Sequence, residues 1–261
     1  MFKQFADIGV SLTDHVATVE IRRPPHNFFD TALIRQIAEA YEALDEVAAC
    51  RAIMLCADGQ SFCAGADFVN SPNLATFDEA GPESKHLYRE ALRLFRAKKP
   101  VVAAVQGAAV GGGLGLALSA DFRVTCKEAR FSSNFSRIGL HPGFGLSVTL
   151  PRLIGVQKAA LVTLTGRRIG GEEAVNMGLA DILAPLASLR DEALKLATDI
   201  AAGAPLALLS IRETSRRGLA GEIESATERE LFEQEWLRRT SDFKEGVTAY
   251  AARRPPKFTS T

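Results

Sequence analysis

The chain has 261 residues, of which 47% are hydrophobic and 24% are charged, a composition typical of a globular protein with a sizeable core. Lysine and arginine total 31, as do aspartate and glutamate, so the formal net charge is zero. This balance disfavours binding to nucleic acid or to an anionic membrane. Residues 1–7 lack an apolar run, and the longest one, near 101–109, is too short to span a bilayer. We therefore expect a protein outside the membrane. Four cysteines without metal or redox spacing make the reducing cytoplasm the simplest compartment, so we expect a cytoplasmic protein.

The first half of the chain alternates predicted strands and helices. Period-two patterning predicts a hairpin from Ile8–Leu12 and Val16–Ile21, and helical spacing predicts a helix from about Asp30 to Ala48. A buried strand at Ala52–Ala57 follows. The remaining predicted elements here are helices at Glu83–Ala97 and Gly112–Ala120, and strands at Val101–Val105, Phe122–Cys126 and Ala129–Ser133. This alternation predicts an α/β architecture.

The second half of the chain is predicted to be mainly helical. The predicted helices are Val156–Leu164, Glu172–Met177, Leu186–Ala202, Pro205–Arg217, Glu222–Arg238 and Asp242–Ala252. Because the composition shifts near residue 190, we expect residues 1–190 to form a core that carries the site. Residues 191–261 are then a C-terminal helical region.

Two glycine-rich stretches stand out, Ser61–Asp67 and Gly107–Gly115. Each follows a predicted strand and precedes a predicted helix. Loops without bulky side chains let a ligand approach the backbone, and the amide N–H groups at a helix start lack partners within the helix. Two such loops facing one pocket would direct two N–H donors at one oxygen. That arrangement suits chemistry on a thioester or another acyl carbonyl.

The four cysteines, Cys50, Cys56, Cys63 and Cys126, show no metal-ligand or redox spacing. We expect neither a metal site nor a separate cofactor. Cys63 lies in the first glycine-rich stretch, where a nucleophilic thiol is one interpretation. A small residue that fits a tight turn is the interpretation we favour, because no histidine or cation lies nearby in the sequence to lower its pKa.

An ordered set of motifs resembles the crotonase superfamily, also called the enoyl-CoA hydratase/isomerase family. Its two glycine-containing segments are Phe62–Asp67 and Gly111–Gly113. Flanking segments also fit the family over nearly the whole chain: Arg23–Asn27, Lys99–Gly107, Leu164–Gly166, Ala174–Leu179 and Glu245–Phe258. Each segment is a weak signal alone, whereas the ordered set is a strong one.

The resemblance implies a spiral of ββα repeats, with a C-terminal helical region that forms a homotrimer or a dimer of trimers. It implies an acyl-CoA thioester as the substrate, with coenzyme A as part of that substrate. The oxyanion-hole N–H groups map to Ala66 and Gly112. The residues expected to contact coenzyme A are Arg22, Arg23, His26, Ala64, Tyr250 and Arg253.

The acidic residues of the family are missing at the expected positions. A hydratase of this family uses two glutamates around one water, and these positions hold Gly115 and Phe135 here. The acid position of the isomerases and dehalogenases holds Gly143. With two glycines there, we expect a roomy acyl pocket for a bulky group. The residues expected to line it are Phe68, Gly115, Phe135, Gly143 and Phe144.

Because the family's acidic residues are missing, any proton transfer in the reaction must use other residues. His141 is the candidate acid or base, since imidazole titrates near neutral pH; a loop histidine bonded to backbone or solvent is the alternative. Further polar candidates near the missing acids are Ser132, Ser133, Asn134 and Arg137, and those on the segment expected to cover the pocket are Glu83 and His86.

The resemblance therefore predicts an acyl-CoA-transforming enzyme that stabilises a thioester enolate, of the lyase or isomerase class. Hydrolysis or decarboxylation of a thioester or β-diketone with His141 as the acid or base is an open alternative. A non-catalytic acyl-CoA-binding protein is the alternative from another class.

Overall fold

The computed structural model describes residues 3–68 and 87–261 and contains two sheets surrounded by helices. The described strands are β1 (Ile8–Thr13), β2 (Val16–Ile21), β3 (Ala52–Ala57), β4 (Val101–Val105), β5 (Ala108–Val110), β6 (Phe122–Thr125), β7 (Arg130–Ser132), β8 (Arg168–Gly170) and β9 (Ile182–Leu183). The described helices are α1 (Thr31–Asp45), α2 (Leu87–Phe95), α3 (Gly112–Ser119), α4 (Leu146–Ile154), α5 (Val156–Thr165), α6 (Gly171–Asn176), α7 (Leu189–Ala201), α8 (Pro205–Ser215), α9 (Leu219–Leu237) and α10 (Ser241–Ala251), with 3-10 turns at Asn134–Ile138 and Leu186–Ser188.

The larger sheet has the strand order β1-β2-β3-β4-β6-β9, and the smaller has β5-β7-β8. Among the described strands of the larger sheet, only the β1–β2 hairpin is antiparallel. From β4 to β7 the strands alternate between the sheets, with β4 and β6 in the larger sheet and β5 and β7 in the smaller. In this part of the chain each pair of strands contributes one strand to each sheet, and α3 separates the two pairs.

Most predicted elements of the α/β core are confirmed. The hairpin pairs Ile8 with Ile21 and Thr13 with Val16. Helix α1 begins at Thr31, where the Asp30 carboxylate accepts a hydrogen bond from the Leu33 N–H (2.8 Å), as expected of an N-cap. Strands β5, β8 and β9 were not predicted, because two or three residues are too few to show a period.

The site lies next to the most buried elements. Every residue of β3, β4 and α3 is buried. Helix α3 is built only of glycine, alanine, leucine and one serine, so it fits between neighbouring elements. A small, apolar helix of this kind brings its N-terminus deep into the fold, where the second glycine-rich stretch ends.

The C-terminal helices pack on this core within one chain. Helix α7 contacts β3, β4 and β6, α9 contacts α2 and α4, and α10 contacts the turn at Asn134–Ile138. The predicted division at residue 190 falls in the first turn of α7. In the described ranges no single helix is long and apolar enough to cross a bilayer; one pair bent by 105°, Leu186–Ala201 with Pro205–Ser215, meets that length and composition jointly.

Candidate active site

Two side-chain amides fix the turn that leads into the first glycine-rich stretch. Asn27 is fully buried, and its Nδ2 donates to the carbonyl oxygens of Asp58 (2.6 Å) and Ser61 (2.7 Å). From the other side, Gln106 Nε2 donates to the carbonyls of Ala57 (2.9 Å) and Ser61 (3.1 Å). Because buried carbonyls need donors, these two amides hold residues 57–61 in place.

The two glycine-rich stretches run side by side in direct contact. The Cys63 N–H donates to the Ala108 carbonyl (2.9 Å), and the Val110 N–H donates to the Cys63 carbonyl (3.1 Å). A β-carbon at Gly113 would lie 2.1 Å from the Cys63 carbonyl oxygen, and one at Gly65 would lie 2.8 Å from that of Val110. Only glycine permits this approach, so the glycines set the spacing of the two loops.

The approach brings Ala66 and Gly112 to one cavity. Helix α3 begins at Gly112, after Gly111 at φ +57° and ψ −122°. In residues 3–68 and 87–261 neither N–H has a hydrogen-bond acceptor, as expected at the first turn of a helix for Gly112. Both residues line the same cavity.

That cavity is narrow and mostly apolar. Its volume is about 40 Å³, room for only a few waters at roughly 10–15 Å³ each. Its described lining consists of Phe29, Ala64, Gly65, Ala66, Phe68, Leu87, Tyr88, Val110, Gly111, Gly112, Asn134, Phe135, Ile138, Leu140, Gln234, Arg238 and Tyr250. None of these is a carboxylic acid.

A wider groove of about 890 Å³ adjoins the cavity. Ala64, Val110 and Tyr250 line both spaces, so the two lie side by side. Four of the six residues predicted to contact coenzyme A line this groove: His26, Ala64, Tyr250 and Arg253. Three further arginines, Arg130, Arg168 and Arg254, also line it, and cations of this kind suit phosphate groups.

The other two predicted contacts lie outside the groove lining and bind carboxylates. Arg23 donates to Asp7 (2.7 Å) and forms an ion pair with Asp30 (2.9 Å), and these hydrogen bonds raise the pKa of its guanidinium. Arg22 is exposed and pairs with Glu20 (2.9 Å). Arg23 therefore braces the proline-rich loop in this structure, and a phosphate contact by either residue stays a prediction.

The family follows from a match over nearly the whole chain. A family model described as enoyl-CoA hydratase/isomerase matches residues 12–261. The chain belongs to this family. Among curated proteins, a putative enoyl-CoA hydratase of Thermus thermophilus is 34% identical over 252 residues, which cover 94% of this chain and 97% of that protein. A 1,2-epoxyphenylacetyl-CoA isomerase of Escherichia coli is 31% identical over 252 residues, which cover 94% of this chain and 95% of that protein.

Solved structures of the family share the fold. An enoyl-CoA hydratase/isomerase from Pseudoalteromonas atlantica superposes with a TM-score of 0.87 at 29% identity, covering 97% of this chain and 100% of that one. An enoyl-CoA hydratase from Mycobacterium avium subsp. paratuberculosis superposes with a TM-score of 0.85 at 29% identity, and the match covers 98% of this chain and 100% of that one. These neighbours confirm the crotonase fold predicted for this α/β chain.

The first glutamate position of this family member is sterically closed. A β-carbon at Gly115 would lie 2.6 Å from the Phe144 β-carbon, and Phe144 adopts φ +62°, a left-handed conformation unusual for a large residue. The Phe144 ring packs edge-on against Phe29 (centroids 5.9 Å) and Tyr88 (6.3 Å). Phe144 thus fills the volume that a longer side chain at position 115 would need.

The isomerase acid position is closed by another aromatic residue. A β-carbon at Gly143 would lie 2.0 Å from the Tyr88 hydroxyl oxygen. Tyr88 is buried, and its hydroxyl donates to Gln234 Oε1 (3.1 Å). A phenol and an amide therefore lie where the sequence pattern places a carboxylate in other family members.

These two contacts correct one prediction. The acyl pocket was expected to be roomy, and that expectation is wrong because Phe144 and Tyr88 occupy the space beside the two glycines. Of the five residues predicted to line it, Phe68 and Phe135 do so. Gly115, Gly143 and Phe144 lie in the layer behind the lining.

The histidine candidate lies outside the cavity lining. His141 is half-buried, and its Nδ1 lies 2.8 Å from the Pro142 carbonyl. Its own carbonyl accepts from Gln234 Nε2 (2.7 Å), so its main chain supports the cavity although its ring does not line it. A catalytic role for His141 stays a prediction, and so do the roles of Glu83 and His86, which lie outside the described residues.

One of the polar candidates near the second glutamate position reaches the cavity. Asn134 lines it beside Phe135, the residue at that position. Ser132 Oγ donates to the Gly166 carbonyl (3.3 Å), and Arg137 Nε donates to that of Thr165 (2.7 Å). These two side chains bind main-chain carbonyls and do not line the cavity.

Cys63 is packed as a small apolar residue. Its side chain is fully buried, and burial raises the pKa of the thiol to about 12. A thiol held in this state is a poor nucleophile near neutral pH. Among the described residues no cluster of three or more His, Cys, Asp or Glu is arranged to hold a metal ion.

The sequence interpretation missed three polar residues of the cavity lining. Tyr88 comes from α2 and Gln234 from α9, which packs against α2, while Arg238 is the C-cap residue of α9. The spacing of four between Gln234 and Arg238 places them on the same side at the end of α9, a signal that could have marked them as a pair. Nothing in the sequence joins that pair to Tyr88, almost 150 residues earlier.

Proposed function

We propose that the chain binds an acyl-CoA thioester and stabilises the enolate form of its acyl group, with the N–H groups of Ala66 and Gly112 as an oxyanion hole. The observation that carries this proposal is that Ala66 and Gly112 line the same narrow cavity while neither N–H has a hydrogen-bond acceptor in the described ranges. The α3 N-terminus adds positive potential at the same point. Each such donor is worth about 100- to 1000-fold in rate in acyl-transfer enzymes.

The adjoining groove supports the coenzyme A half of the substrate. Its lining combines Tyr250 and His26 as planar surfaces with arginines that suit phosphates. Because Ala64 and Val110 line both spaces, a thioester could extend from the groove into the cavity without interruption. We propose that coenzyme A enters only as part of the substrate and that no separate cofactor is used.

The reaction differs from two-carboxylate hydration. The glutamate positions hold Gly115 and Phe135, and the described cavity lining contains no carboxylic acid. Reactions that need the oxyanion hole more than a pair of acids, such as decarboxylation or cleavage of a β-oxo thioester, fit this lining better. Hydrolysis or isomerisation with His141 and an ordered water is a second route, provided that the imidazole turns toward the cavity.

Paired ligands test the oxyanion hole. Butyryl-CoA and its thioether analogue S-butyl-CoA differ mainly at the carbonyl, and calorimetry gives both dissociation constants. We expect butyryl-CoA to bind about 10-fold tighter, because two N–H donors contact its oxygen. Equal affinities would contradict the proposal, and absence of binding by both would remove the acyl-CoA site.

A non-catalytic acyl-CoA-binding protein is the second candidate, favoured by the lack of an acid in the described lining. Incubation with crotonyl-CoA, acetoacetyl-CoA and malonyl-CoA, followed by mass spectrometry, distinguishes the two. A product from any of them supports the enzyme, whereas tight binding without product supports the binder.

The oligomer and its location are also proposals. Large apolar side chains are exposed on α8 and α9: Leu206 (82% exposed), Ile211 (63%), Phe232 (62%) and Trp236 (51%). Exposed apolar surface of this extent suits contact with another subunit. We propose a cytoplasmic homotrimer or dimer of trimers, and light scattering of the purified protein measures its mass.

A further inference from the structure

Three residues of the cavity lining form an organised polar group. These are Tyr88, Gln234 and Arg238. The Gln234 Oε1 atom accepts from the Tyr88 hydroxyl (3.1 Å) and from Arg238 Nη2 (2.8 Å), while Gln234 Nε2 donates to the His141 carbonyl (2.7 Å). All of these contacts fix the Gln234 amide in one orientation, so the phenol faces a rigid partner.

The Tyr88 hydroxyl can redirect its hydrogen bond at little cost. Its 3.1 Å bond to Gln234 is longer than the bonds that the Gln234 amide makes with Arg238 and with the His141 carbonyl. Rotation about the C–O bond moves the proton, and Gln234 Oε1 keeps the hydrogen bond from Arg238 when this happens. A ligand oxygen in the cavity could therefore accept the hydrogen bond from the Tyr88 hydroxyl, and no buried acceptor would be left unsatisfied.

The phenol is a donor over the whole physiological range. Tyr88 is buried, and desolvation raises the pKa of its hydroxyl well above the usual range. It therefore stays neutral and protonated, as a hydrogen-bond donor to an oxygen must. A purely hydrocarbon acyl group would place carbon against this phenol and against the Asn134 amide, which also lines the cavity, and would match neither.

We propose that the Tyr88 hydroxyl, oriented by Gln234, contacts the substrate by donating a hydrogen bond to an oxygen on its acyl group. The substrate class is thus a short oxygen-bearing acyl thioester, such as a 3-oxoacyl-CoA, in preference to a plain enoyl or alkanoyl thioester. The small cavity volume sets the short chain length. This inference rests on the proposed acyl-CoA site and adds the identity of its acyl group.

Two ligands that differ by one oxygen test the contact. Calorimetry gives the dissociation constants of acetoacetyl-CoA and butyryl-CoA for the wild type and for Tyr88→Phe, which keeps the ring and its packing. We expect the wild type to prefer acetoacetyl-CoA by about 10-fold, the effect of one added hydrogen bond. Tyr88→Phe, which lacks the donor, should lose that preference.

Tyr41→Phe is the matched control. Tyr41 is also a buried phenol, but it lies on α1, and its hydroxyl has no hydrogen-bond partner within the described ranges. Its removal should leave the preference for acetoacetyl-CoA intact.

Three outcomes would overturn the inference: no preference in the wild type, a preference retained in Tyr88→Phe, or equal loss in both variants. If butyryl-CoA still binds tighter than S-butyl-CoA, the oxyanion-hole proposal survives that failure. If none of these ligands binds, both proposals are wrong.

Discussion

Gly115 and Phe144 share one volume: a β-carbon on Gly115 would lie 2.6 Å from the β-carbon of Phe144. The pair explains why position 115 holds no acid. Phe144 adopts φ +62° and is almost fully buried, so its ring is held in place despite an unfavourable backbone conformation. Substitution at one of these positions must therefore depend on the residue at the other.

The Gly115→Glu variant should not gain hydratase activity, and it should unfold more easily than the wild type. Overpacking of a core costs about 1–3 kcal/mol, and a buried unpaired carboxylate adds to that cost. The double variant with Phe144→Gly removes the clash and the backbone strain. We expect its loss of stability to be smaller than the sum of the two single losses by about 1–2 kcal/mol, measured by urea unfolding. Strict additivity would show that the two side chains do not compete for space.

Gly113→Ala should disrupt the site, whereas Gly221→Ala should not. A β-carbon at Gly113 would lie 2.1 Å from the Cys63 carbonyl oxygen, so the two loops must separate and the Ala66 and Gly112 N–H groups move apart. At Gly221, within helix α9, such a carbon would have no atom of the described residues within 4 Å other than those of its chain neighbours and its own helix backbone. Gly221→Ala should stabilise the protein by about 0.5–1 kcal/mol.

Thermal unfolding and the affinity for butyryl-CoA measure both glycine effects. Gly113→Ala should lower the melting temperature and weaken binding at least 10-fold, whereas Gly221→Ala should raise the melting temperature with binding unchanged. Normal binding by Gly113→Ala would mean that the contact between the loops does not set the site.

The sequence predicted the framework better than the chemistry at its centre. Long periodic elements such as α1, and the loops that carry Ala66 and Gly112, depend on local patterns, which the sequence displays directly. The filling of the space beside Gly115 and Gly143 depends on Phe144 and Tyr88, whose side-chain directions are set by tertiary packing. A glycine in a sequence indicates missing volume at its own position, and only the fold tells which neighbour fills it.

Asp121→Asn should be strongly destabilising. Asp121 accepts from Arg212 Nε (2.8 Å), Arg216 Nη1 (2.8 Å) and the Val101 N–H (2.8 Å), and its side chain is only 12% exposed. Loss of its charge leaves two largely buried guanidinium groups without their carboxylate, at a cost of about 3–5 kcal/mol. Asp199→Asn, an exposed change on α7, should stay within about 0.5 kcal/mol of wild type in the same urea titration.

The pH dependence of stability follows from the same ion cluster. Burial acts to raise the pKa of Asp121, but Arg212 and Arg216 hold it below the usual 3.8. The folded state therefore binds this proton less tightly than the unfolded state, so the stabilisation is complete above the unfolded pKa and is lost as the pH falls through the folded one. The stability gap between Asp121→Asn and wild type should narrow below about pH 4. A gap that stays constant down to pH 2 would contradict this assignment.

Native thiols should resist alkylation. All four cysteines are buried, and burial raises the pKa of Cys63 to about 12 and those of Cys50 and Cys56 to about 11. Iodoacetamide at pH 8 should modify none of them in the folded protein and all four in guanidinium chloride, as counted by mass spectrometry. Rapid modification of Cys63 in the native state would revive the nucleophilic interpretation.

The C-terminal segment beside the groove should loosen when Glu245 loses its charge. Glu245 pairs with Arg254 through two contacts (2.5 and 2.8 Å) and accepts from the Lys257 N–H (2.7 Å), and hydrogen bonds from Arg254 lower the pKa of its carboxyl to about 2. This lowered pKa means that the pairing is complete above the unfolded value of about 4.3 and is lost as the pH falls toward 2. Hydrogen exchange of the Lys257 amide should therefore speed up, after correction for intrinsic rates, between those two pH values.

Glu245→Gln reproduces that loosening at neutral pH. Trypsin should cleave after Arg253 faster in this variant than in wild type, because the neutral amide cannot form the charged pair with Arg254. Glu228→Gln, an exposed change on α9, is the matched control and should leave the cleavage rate unchanged. Since Tyr250, Arg253 and Arg254 all line the groove, the Glu245 variant should also bind coenzyme A thioesters more weakly. Equal cleavage rates in the two variants would show that the main-chain contacts of residues 252–261 hold this segment without the ion pair.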